Sequence, residues 1–196
     1  AITNHSSGKT GVSLATELVS AGAKVTFVYG PGKEKPPKGA KIINVLSSKE
    51  MHLAIKLELK KKFDIVIMAA AIADYVPTIQ SKNKIKSSKS NMTISLKKAP
   101  KIIDQIKKYQ KNVLLVGFKA EINLTKNQLI KSAEKKLKES SADMIIANDI
   151  GSIRYKKNPQ KNQVIIVDSN KNIVSRWMDK EKIAKFIRKQ IEVKIK

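Results

Sequence analysis

The chain has 196 residues, of which 41% are hydrophobic, so it is long enough to bury the core of one α/β domain. It contains no cysteine, which excludes a disulfide framework, a thiolate nucleophile and a cysteine-ligated metal site in this chain. The two histidines, His5 and His52, are far apart, which argues against a zinc site. No apolar run approaches the roughly 18 residues of a membrane-spanning helix and no signal-peptide pattern is visible, so we expect a cytoplasmic protein without a membrane partner.

The formal net charge of +24 makes nucleic acid the first partner to consider, because clustered cations release counterions from a phosphate backbone. However, the sequence has only three arginines, Arg154, Arg176 and Arg188, although arginine is the preferred reader of phosphates and guanine. The lysines are spread over nearly every segment instead of forming one stripe. We therefore expect no nucleic-acid partner, and we attribute the charge to a lysine-rich composition and an anionic small substrate.

The first half of the chain alternates between helices and short apolar strands. The pattern predicts a helix over residues 12–21, strands over residues 24–29 and 42–46, a helix from about residue 48 to residue 60, and a strand over residues 64–71. Residues 30–39 contain three prolines and cannot be helical. The continuous apolar run of residues 64–71 is typical of a central parallel strand that is covered on both faces.

The second half continues the alternation after a polar stretch, residues 75–90, which we expect to be mobile. The predicted elements are a half-exposed strand over residues 91–96, a helix opened by Pro100, a strand over residues 113–118, a helix over residues 125–140, a strand over residues 143–147, a hairpin of residues 164–167 and 172–175, and a closing helix over residues 179–191. This order predicts an α/β fold, a Rossmann-like doubly wound and mostly parallel sheet with a C-terminal hairpin and helix. Ligands bind such folds at the carboxyl ends of the strands.

Residues 4–11, with the sequence NHSSGKTG, precede the first predicted helix. The N–H groups at a helix N-terminus are unpaired and the helix dipole is positive there, so the segment suits a phosphate or a carboxylate. The spacing matches neither a Walker P-loop nor the full dinucleotide fingerprint. The alternative is an ordinary Ser/Thr helix cap.

Further candidates follow the strands. After the apolar run comes a small-residue segment in which Asp74 either accepts hydrogen bonds from a ribose or a base, or caps a turn. Lys84 lies in the polar stretch, where lysines are usually solvated unless they belong to a lid that closes over phosphates. Phe118 either stacks on a base or fills the core, and Lys136 on its helix is by default a surface residue.

Taken together and in order, five segments resemble phosphopantothenoylcysteine synthetase, the ligase half of the bifunctional coenzyme A biosynthesis protein. The segments are NHSSGKTG at residues 4–11, AAAIADY at residues 69–75, KIK at residues 84–86, VGFKAE at residues 116–121 and AND at residues 147–149. Each is modest alone, and their common order makes an accidental match improbable.

The resemblance implies a reaction with two steps. CTP, or alternatively ATP, activates the carboxylate of 4′-phosphopantothenate as an acyl-nucleotidyl anhydride and releases pyrophosphate, and the amine of L-cysteine then forms the amide. Mg²⁺, or Mn²⁺ in its place, would assist, although the sequence assigns no metal ligands. The resemblance also implies a homodimer and a fusion to a flavin-dependent decarboxylase domain upstream. Residues 1–196 would then be a single ligase domain whose first strand falls before Ala1.

The same resemblance implies roles for individual residues. Asn4 and Lys84 would be catalytic, the former at the activated carboxyl group and the latter in the lid. The substrate would be bound by Asn4, Ser6, Ser7 and Gly8. The nucleotide would be bound by Met68, Ala69, Ala70, Asp74, Lys84, Lys97, Lys98, Ala99, Pro100, Phe118 and Lys136.

The sequence departs from the family pattern at three of these places. Ala99 replaces an asparagine before the proline, Ser140 replaces a second lysine four residues after Lys136, and Ser87 replaces the last lysine of the lid. These changes bear on nucleotide affinity and base preference more than on the reaction. Two other functions stay open, namely a non-catalytic basic nucleotide- or nucleic-acid-binding domain and an oxidoreductase. An oxidoreductase would need an acidic residue after its second strand, and residues 29–32 have none.

Overall fold

The computed structural model describes residues 4, 6–79, 83 and 91–195. None of the helices in these ranges is long and apolar enough to cross a membrane.

Short strands alternate with helices along most of the chain. The helices are α1 (Lys9–Ser20), α2 (Ser48–Glu58), α3 (Ile103–Tyr109), α4 (Lys126–Ser140), α5 (Ile153–Lys157) and α6 (Lys180–Ile195), and a 3₁₀ turn (Leu59–Lys61) follows α2. The strands are β1 (Thr26–Tyr29), β2 (Lys41–Asn44), β3 (Ile65–Met68), β4 (Tyr75–Pro77), β5 (Leu96–Lys98), β6 (Leu114–Glu121), β7 (Met144–Asp149), β8 (Lys161–Asn162), β9 (Ile165–Val167), β10 (Asn172–Val174) and β11 (Met178–Asp179).

The central sheet has five strands in the order β10-β9-β7-β6-β3. Strands β3, β6 and β7 are parallel, so their carboxyl ends meet at one edge of the sheet. The predicted C-terminal hairpin is present, since β9 and β10 pair with each other in antiparallel fashion and β9 continues the sheet beside β7. Strands β1 and β2 form a separate parallel pair, and β4 with β5 and β8 with β11 form short antiparallel pairs.

Helices cover both faces of the central sheet, and an apolar cluster fills each interface. One cluster lies on the side of α2, α3 and α4 and includes Leu115 and Ile145, whereas the other lies on the side of α1 and α6 and includes Val116 and Ile146. Successive residues of β6 and β7 enter opposite clusters because side chains alternate along a strand. This arrangement confirms the predicted doubly wound α/β fold.

Local capping explains where several helices begin. Ser47 caps α2 by accepting a hydrogen bond from the Glu50 N–H, and Thr125 and Gln128 form a reciprocal capping box at α4. Helix α1 is different, because its cap is Gly8 in the left-handed region at φ 80° and no side chain caps it there. The hydroxyl of Ser7, one residue earlier, accepts a hydrogen bond from the first N–H of the helix instead.

Two sequence-based expectations need correction, and one helix was missed. The strand predicted over residues 91–96 is wrong, because residues 91–95 form no strand and Leu96–Lys98 pairs instead with Tyr75–Pro77. The alternating apolar residues that suggested it, Met92, Ile94 and Leu96, are all exposed, so no buried face fixes their register. The polar stretch 75–90, which we expected to be mobile, begins with strand β4. Helix α5 was not predicted.

Candidate functional site

The opening motif meets the segment that follows β3. The side-chain amide of Asn4 donates a hydrogen bond to the carbonyl of Ile72, with 3.0 Å between Nδ2 and O, although the two residues are 68 positions apart. Ile72 follows the carboxyl end of β3 and packs against the cluster on the side of α2, α3 and α4. The structure therefore brings together Asn4 and the small-residue segment 69–75, which the sequence singled out separately.

Ser6, Ser7 and Gly8 lie directly before α1. The hydroxyl of Ser7 accepts a hydrogen bond from the Lys9 N–H at 3.2 Å, and the hydroxyl of Ser6 accepts one from the Gly8 N–H at 3.4 Å. The Lys9 ammonium points elsewhere, because it donates to Gln160 Oε1 at 2.7 Å and lies 3.6 Å from Glu181 Oε1. The backbone and the hydroxyl groups thus form the polar surface at this helix start, which is an environment suited to an anion.

A further cation lies near this helix start. Burial lowers the pKa of Lys180, the first residue of α6, and the nearby Lys9 charge lowers it further. The carboxylates of Glu34 and Glu181 act in the opposite direction and raise this pKa, so the two ammonium groups at the junction of α1 and α6 already have carboxylates of the chain beside them.

The predicted nucleotide-binding segments 68–70 and 97–100 also lie close together. The Ala99 N–H donates to the Asp74 carbonyl at 2.8 Å, which attaches the start of α3 to the segment after β3. The Ala99 side chain is buried, whereas Lys97, Lys98 and Pro100 are exposed. An asparagine at position 99, as the family pattern has it, would therefore place its amide in the interior of this junction.

Phe118 and Lys136 lie on opposite faces of the sheet. Phe118 packs against the cluster on the side of α1 and α6, whereas Lys136 belongs to α4 on the other side. The default expectation that Lys136 is a surface residue is wrong, because its side chain is only 11% exposed and its ammonium pairs with Asp104 at 3.0 Å. Met68 faces the same cluster as α4, so a nucleotide at the edge of the sheet can meet Phe118 and Lys136 only from different sides.

Ser140 occupies the place of the second family lysine and is almost fully buried. Its hydroxyl donates to the Lys136 carbonyl at 2.7 Å, within the last turn of α4. The chain therefore has one buried cation at this place, and that cation is already neutralised by Asp104. The predicted catalytic Lys84 and the Ser87 departure lie outside the described residues.

Asn148 is a further candidate to which the sequence assigned no role. It is 9% exposed and lies opposite Ala120 at the carboxyl ends of β7 and β6. By strand alternation its side chain is on the same face as Phe118 and Ile146. No buried side-chain nitrogen or oxygen atom in the described ranges lacks a hydrogen-bond partner, so Asn148 is a candidate because of its place at the edge of the sheet and not because its amide is unsatisfied. The signal in the sequence was an amide directly after a fully apolar run.

The carboxylate of Glu121 ends β6 on the opposite face. Burial works to raise the pKa of Glu121, but the hydroxyl of Ser132 and the ammonium of Lys119 outweigh it and leave the pKa below its ordinary value. Glu121 is thus an ionised group held by its neighbours. No group of three or more histidine, aspartate or glutamate side chains in the described ranges could hold a metal ion, so the site supplies no dedicated metal centre there.

These features define an α/β domain whose candidate ligand site lies at the carboxyl edge of a parallel sheet, beside a glycine-capped helix N-terminus. Comparison with known proteins identifies the family to which this domain belongs. The chain belongs to the DFP family, the DNA/pantothenate metabolism flavoprotein C-terminal domain, whose profile matches residues 1–194.

Individual relatives agree with this assignment. The coenzyme A biosynthesis bifunctional protein CoaBC of Borreliella burgdorferi is 39% identical over 188 residues, which are 95% of this chain and 46% of that protein. The DNA/pantothenate metabolism flavoprotein of Streptococcus pneumoniae superposes with a TM-score of 0.85 at 27% identity, covering 98% of this chain and 90% of the other. The C-terminal domain of a CoaBC protein superposes with a TM-score of 0.80 at 31% identity, covering 99% and 86%. The chain spans less than half the length of the CoaBC relatives it matches.

Proposed function

We propose that the chain is a phosphopantothenate–cysteine ligase of coenzyme A biosynthesis. It would activate the carboxylate of 4′-phosphopantothenate with a nucleoside triphosphate, release pyrophosphate and join the acyl group to the amine of L-cysteine. The observation that supports the proposal best is the hydrogen bond from Asn4 to Ile72, because it joins a residue that we assign to the acyl substrate to a segment that we assign to the nucleotide. Membership of the DFP family and the relatives named CoaBC support it.

In this proposal the groups around the start of α1 bind the acyl substrate. Asn4 holds the activated carboxyl region, and the groups of Ser6, Ser7 and Gly8 face a phosphate. No protein nucleophile is required, because the leaving nucleotide makes the carboxyl carbon reactive towards the amine. Catalysis then consists of positioning the reactants and stabilising negative charge, for which Lys84 supplies a cation.

The nucleotide occupies the other side of the junction. The base lies against the backbone of Met68, Ala69 and Ala70, and Asp74 accepts hydrogen bonds from the nucleotide. Residues 97–100, which precede α3, line the other side of the nucleotide. We propose CTP as the nucleotide, with ATP as the alternative. Phe118 and Asn148 on one face and Lys136 on the other complete the contacts. Mg²⁺ would be bound mainly by the nucleotide phosphates and would need only one or two oxygen ligands from the protein.

Two substitutions test the assignment of the catalytic residues. An aspartate carboxylate cannot donate to the Ile72 carbonyl, so Asn4→Asp should stall turnover at the activated intermediate. Lys84→Gln should block amide formation more than nucleotide binding. Quenched-flow analysis of acyl-nucleotide and amide measures both steps. Asn112→Asp and Lys111→Gln, at the exposed turn on the opposite edge of the sheet, are matched controls that should turn over like wild type. If Asn4→Asp and Lys84→Gln also do so, the site assignment is wrong.

We further propose a homodimer that uses the β4–β5 arm. This arm and the residues beside it expose Tyr75, Ile79, Met92 and Leu96, at 54%, 84%, 61% and 42%. Because each chain carries a charge of +24, association should strengthen as salt screens the repulsion. Light scattering after size exclusion at low and high salt measures this. Ile79→Glu should shift the protein towards monomer, whereas Leu46→Glu, at a similarly exposed site away from the arm, should not. The fusion to an upstream flavin-dependent decarboxylase domain stays a prediction.

A further inference from the structure

We propose that Tyr29 is a positioning residue that holds the phosphate-facing groups of Ser6, Ser7 and Gly8 in place from the last position of β1. This inference rests on the proposed function, and it adds a residue to which neither the sequence motifs nor the family resemblance assigns a role.

The Tyr29 ring lies between two glycines that come from different parts of the chain. A Cβ atom added to Gly8 would lie 3.3 Å from the ring carbon Cε2 and from the hydroxyl oxygen of Tyr29, and one added to Gly32 would overlap the hydroxyl outright. Both glycines therefore leave room for this ring. Gly8 is also the left-handed cap of α1, so the ring supports the one residue whose backbone conformation sets the direction of the helix start.

The Tyr29 hydroxyl connects the loop that follows β1 to the same place. It donates to the carbonyl of Glu34 at 2.6 Å, and within this loop the Lys33 N–H donates to the Ser7 carbonyl at 3.2 Å. The loop thus contacts the opening motif directly, and the hydroxyl closes the loop behind that contact. Without the hydroxyl, the described contacts leave one backbone hydrogen bond between the loop and Ser7.

Phe27 shows which part of this arrangement is ordinary packing. It lies two residues earlier on the same face of β1 and stacks on Tyr29, with ring centroids 5.3 Å apart. Its ring faces Gly11, where an added Cβ would lie 3.8 Å away, which is ordinary contact one turn further into the helix. Phe27 therefore packs against α1 at Gly11, whereas the atoms nearest to Gly8 all belong to Tyr29, which makes Phe27 the matched control.

The test compares Tyr29→Phe with Phe27→Leu. Tyr29→Phe removes one hydrogen bond, so we expect at least one phosphate-bearing substrate, 4′-phosphopantothenate or the nucleotide, to show a KM raised about 3- to 10-fold, with kcat within about twofold. Phe27→Leu should lower the urea midpoint and leave both KM values unchanged. Gly32→Ala displaces the hydroxyl from the other side and should raise the same KM as Tyr29→Phe.

A binding measurement separates this inference from the proposed function. Inorganic pyrophosphate is titrated into ¹⁵N-labelled protein while the amide signals of Ser7, Gly8 and Lys33 are followed. In wild type these signals should shift, and in Tyr29→Phe the dissociation constant should rise about 3- to 10-fold, whether or not the protein forms the amide product. The inference is overturned if the wild-type signals do not respond, if Tyr29→Phe binds like wild type, or if Phe27→Leu weakens binding equally.

Discussion

Gly117 in β6 offers the sharpest test of how the sheet supports the site. It is fully buried, and a Cβ atom at this position would lie 2.7 Å from Cδ1 of Ile103 and 2.8 Å from Cδ1 of Ile145. Both distances are shorter than real side-chain contacts, so both isoleucine methyl groups must shift. Gly117→Ala therefore overpacks the interface between β6 and α3, which costs about 1–3 kcal/mol of unfolding free energy.

The same substitution should disturb the nucleotide side of the site. Ile145 is completely buried, so its methyl group can shift only within the core, whereas Ile103 is the first residue of α3 and can move outward with the helix. This movement would pull residues 97–100 away from Asp74 and weaken the hydrogen bond from Ala99. We expect the KM of the nucleotide to rise more than the KM of L-cysteine.

Gly11→Ala is the matched control. Gly11 lies in the first turn of α1, its φ is not in the left-handed region, and an added methyl group would meet only Phe27 at 3.8 Å. Alanine should therefore stabilise the protein by about 0.5–1 kcal/mol, since it is the better helix former. Urea unfolding followed by circular dichroism measures both variants. If Gly117→Ala is as stable as wild type, or Gly11→Ala is the more damaging of the two, the packing argument is refuted.

Three further predictions concern ion pairs and caps. Lys136→Met leaves Asp104 without its partner and should cost about 1–3 kcal/mol in urea unfolding, and it should raise the nucleotide KM more than Asp104→Asn does. Burial works to raise the pKa of Asp168, but the N–H groups of Asn170 and Lys171 and the Lys194 ammonium outweigh it and hold the pKa below its ordinary 3.8. The ionised carboxylate therefore stabilises the fold above about pH 4, so Asp168→Asn should be less stable than wild type at pH 7, and a persistent difference at pH 2 would contradict this. Thr125→Ala removes the capping box of α4 and should cost about 1 kcal/mol by thermal unfolding, whereas Ser169→Ala on an exposed turn should cost almost nothing.

Periodicity and strand-end logic explain which parts of the fold were predictable. Strands β6 and β7 could be predicted because an apolar stretch flanked by polar turns is compatible with few structures other than a buried strand. The prediction of a strand over residues 91–96 was wrong because an alternating pattern without burial carries little information. Strand β4, which pairs with β5, was missed because it contains a proline, and a proline argues against a strand. Helix α5 is only five residues long and has no buried side chain to give it a pattern.

The site was predictable as a set of segments but not as a set of contacts. Parallel strands bring their carboxyl ends to one edge, so residues 69–75 could be expected at the site, whereas the hydrogen bond from Asn4 to Ile72 is known only from the structure. Some contacts depend on residues from distant segments and could not be predicted. Examples are the ion pair of Lys136 with Asp104 and the position of the Tyr29 ring between Gly8 and Gly32. Nothing in the local sequence around Lys136 distinguishes a buried, paired lysine from the many exposed ones.

The most direct test of the central claim is pyrophosphate release by the purified protein with 4′-phosphopantothenate, Mg²⁺ and L-cysteine, comparing CTP with ATP. If the chain is the ligase, release should depend on 4′-phosphopantothenate, the cysteine amide should appear, and turnover should be faster with CTP. Absence of release with either nucleotide, together with tight and salt-sensitive binding to polynucleotides, would contradict the ligase and favour a basic binding domain.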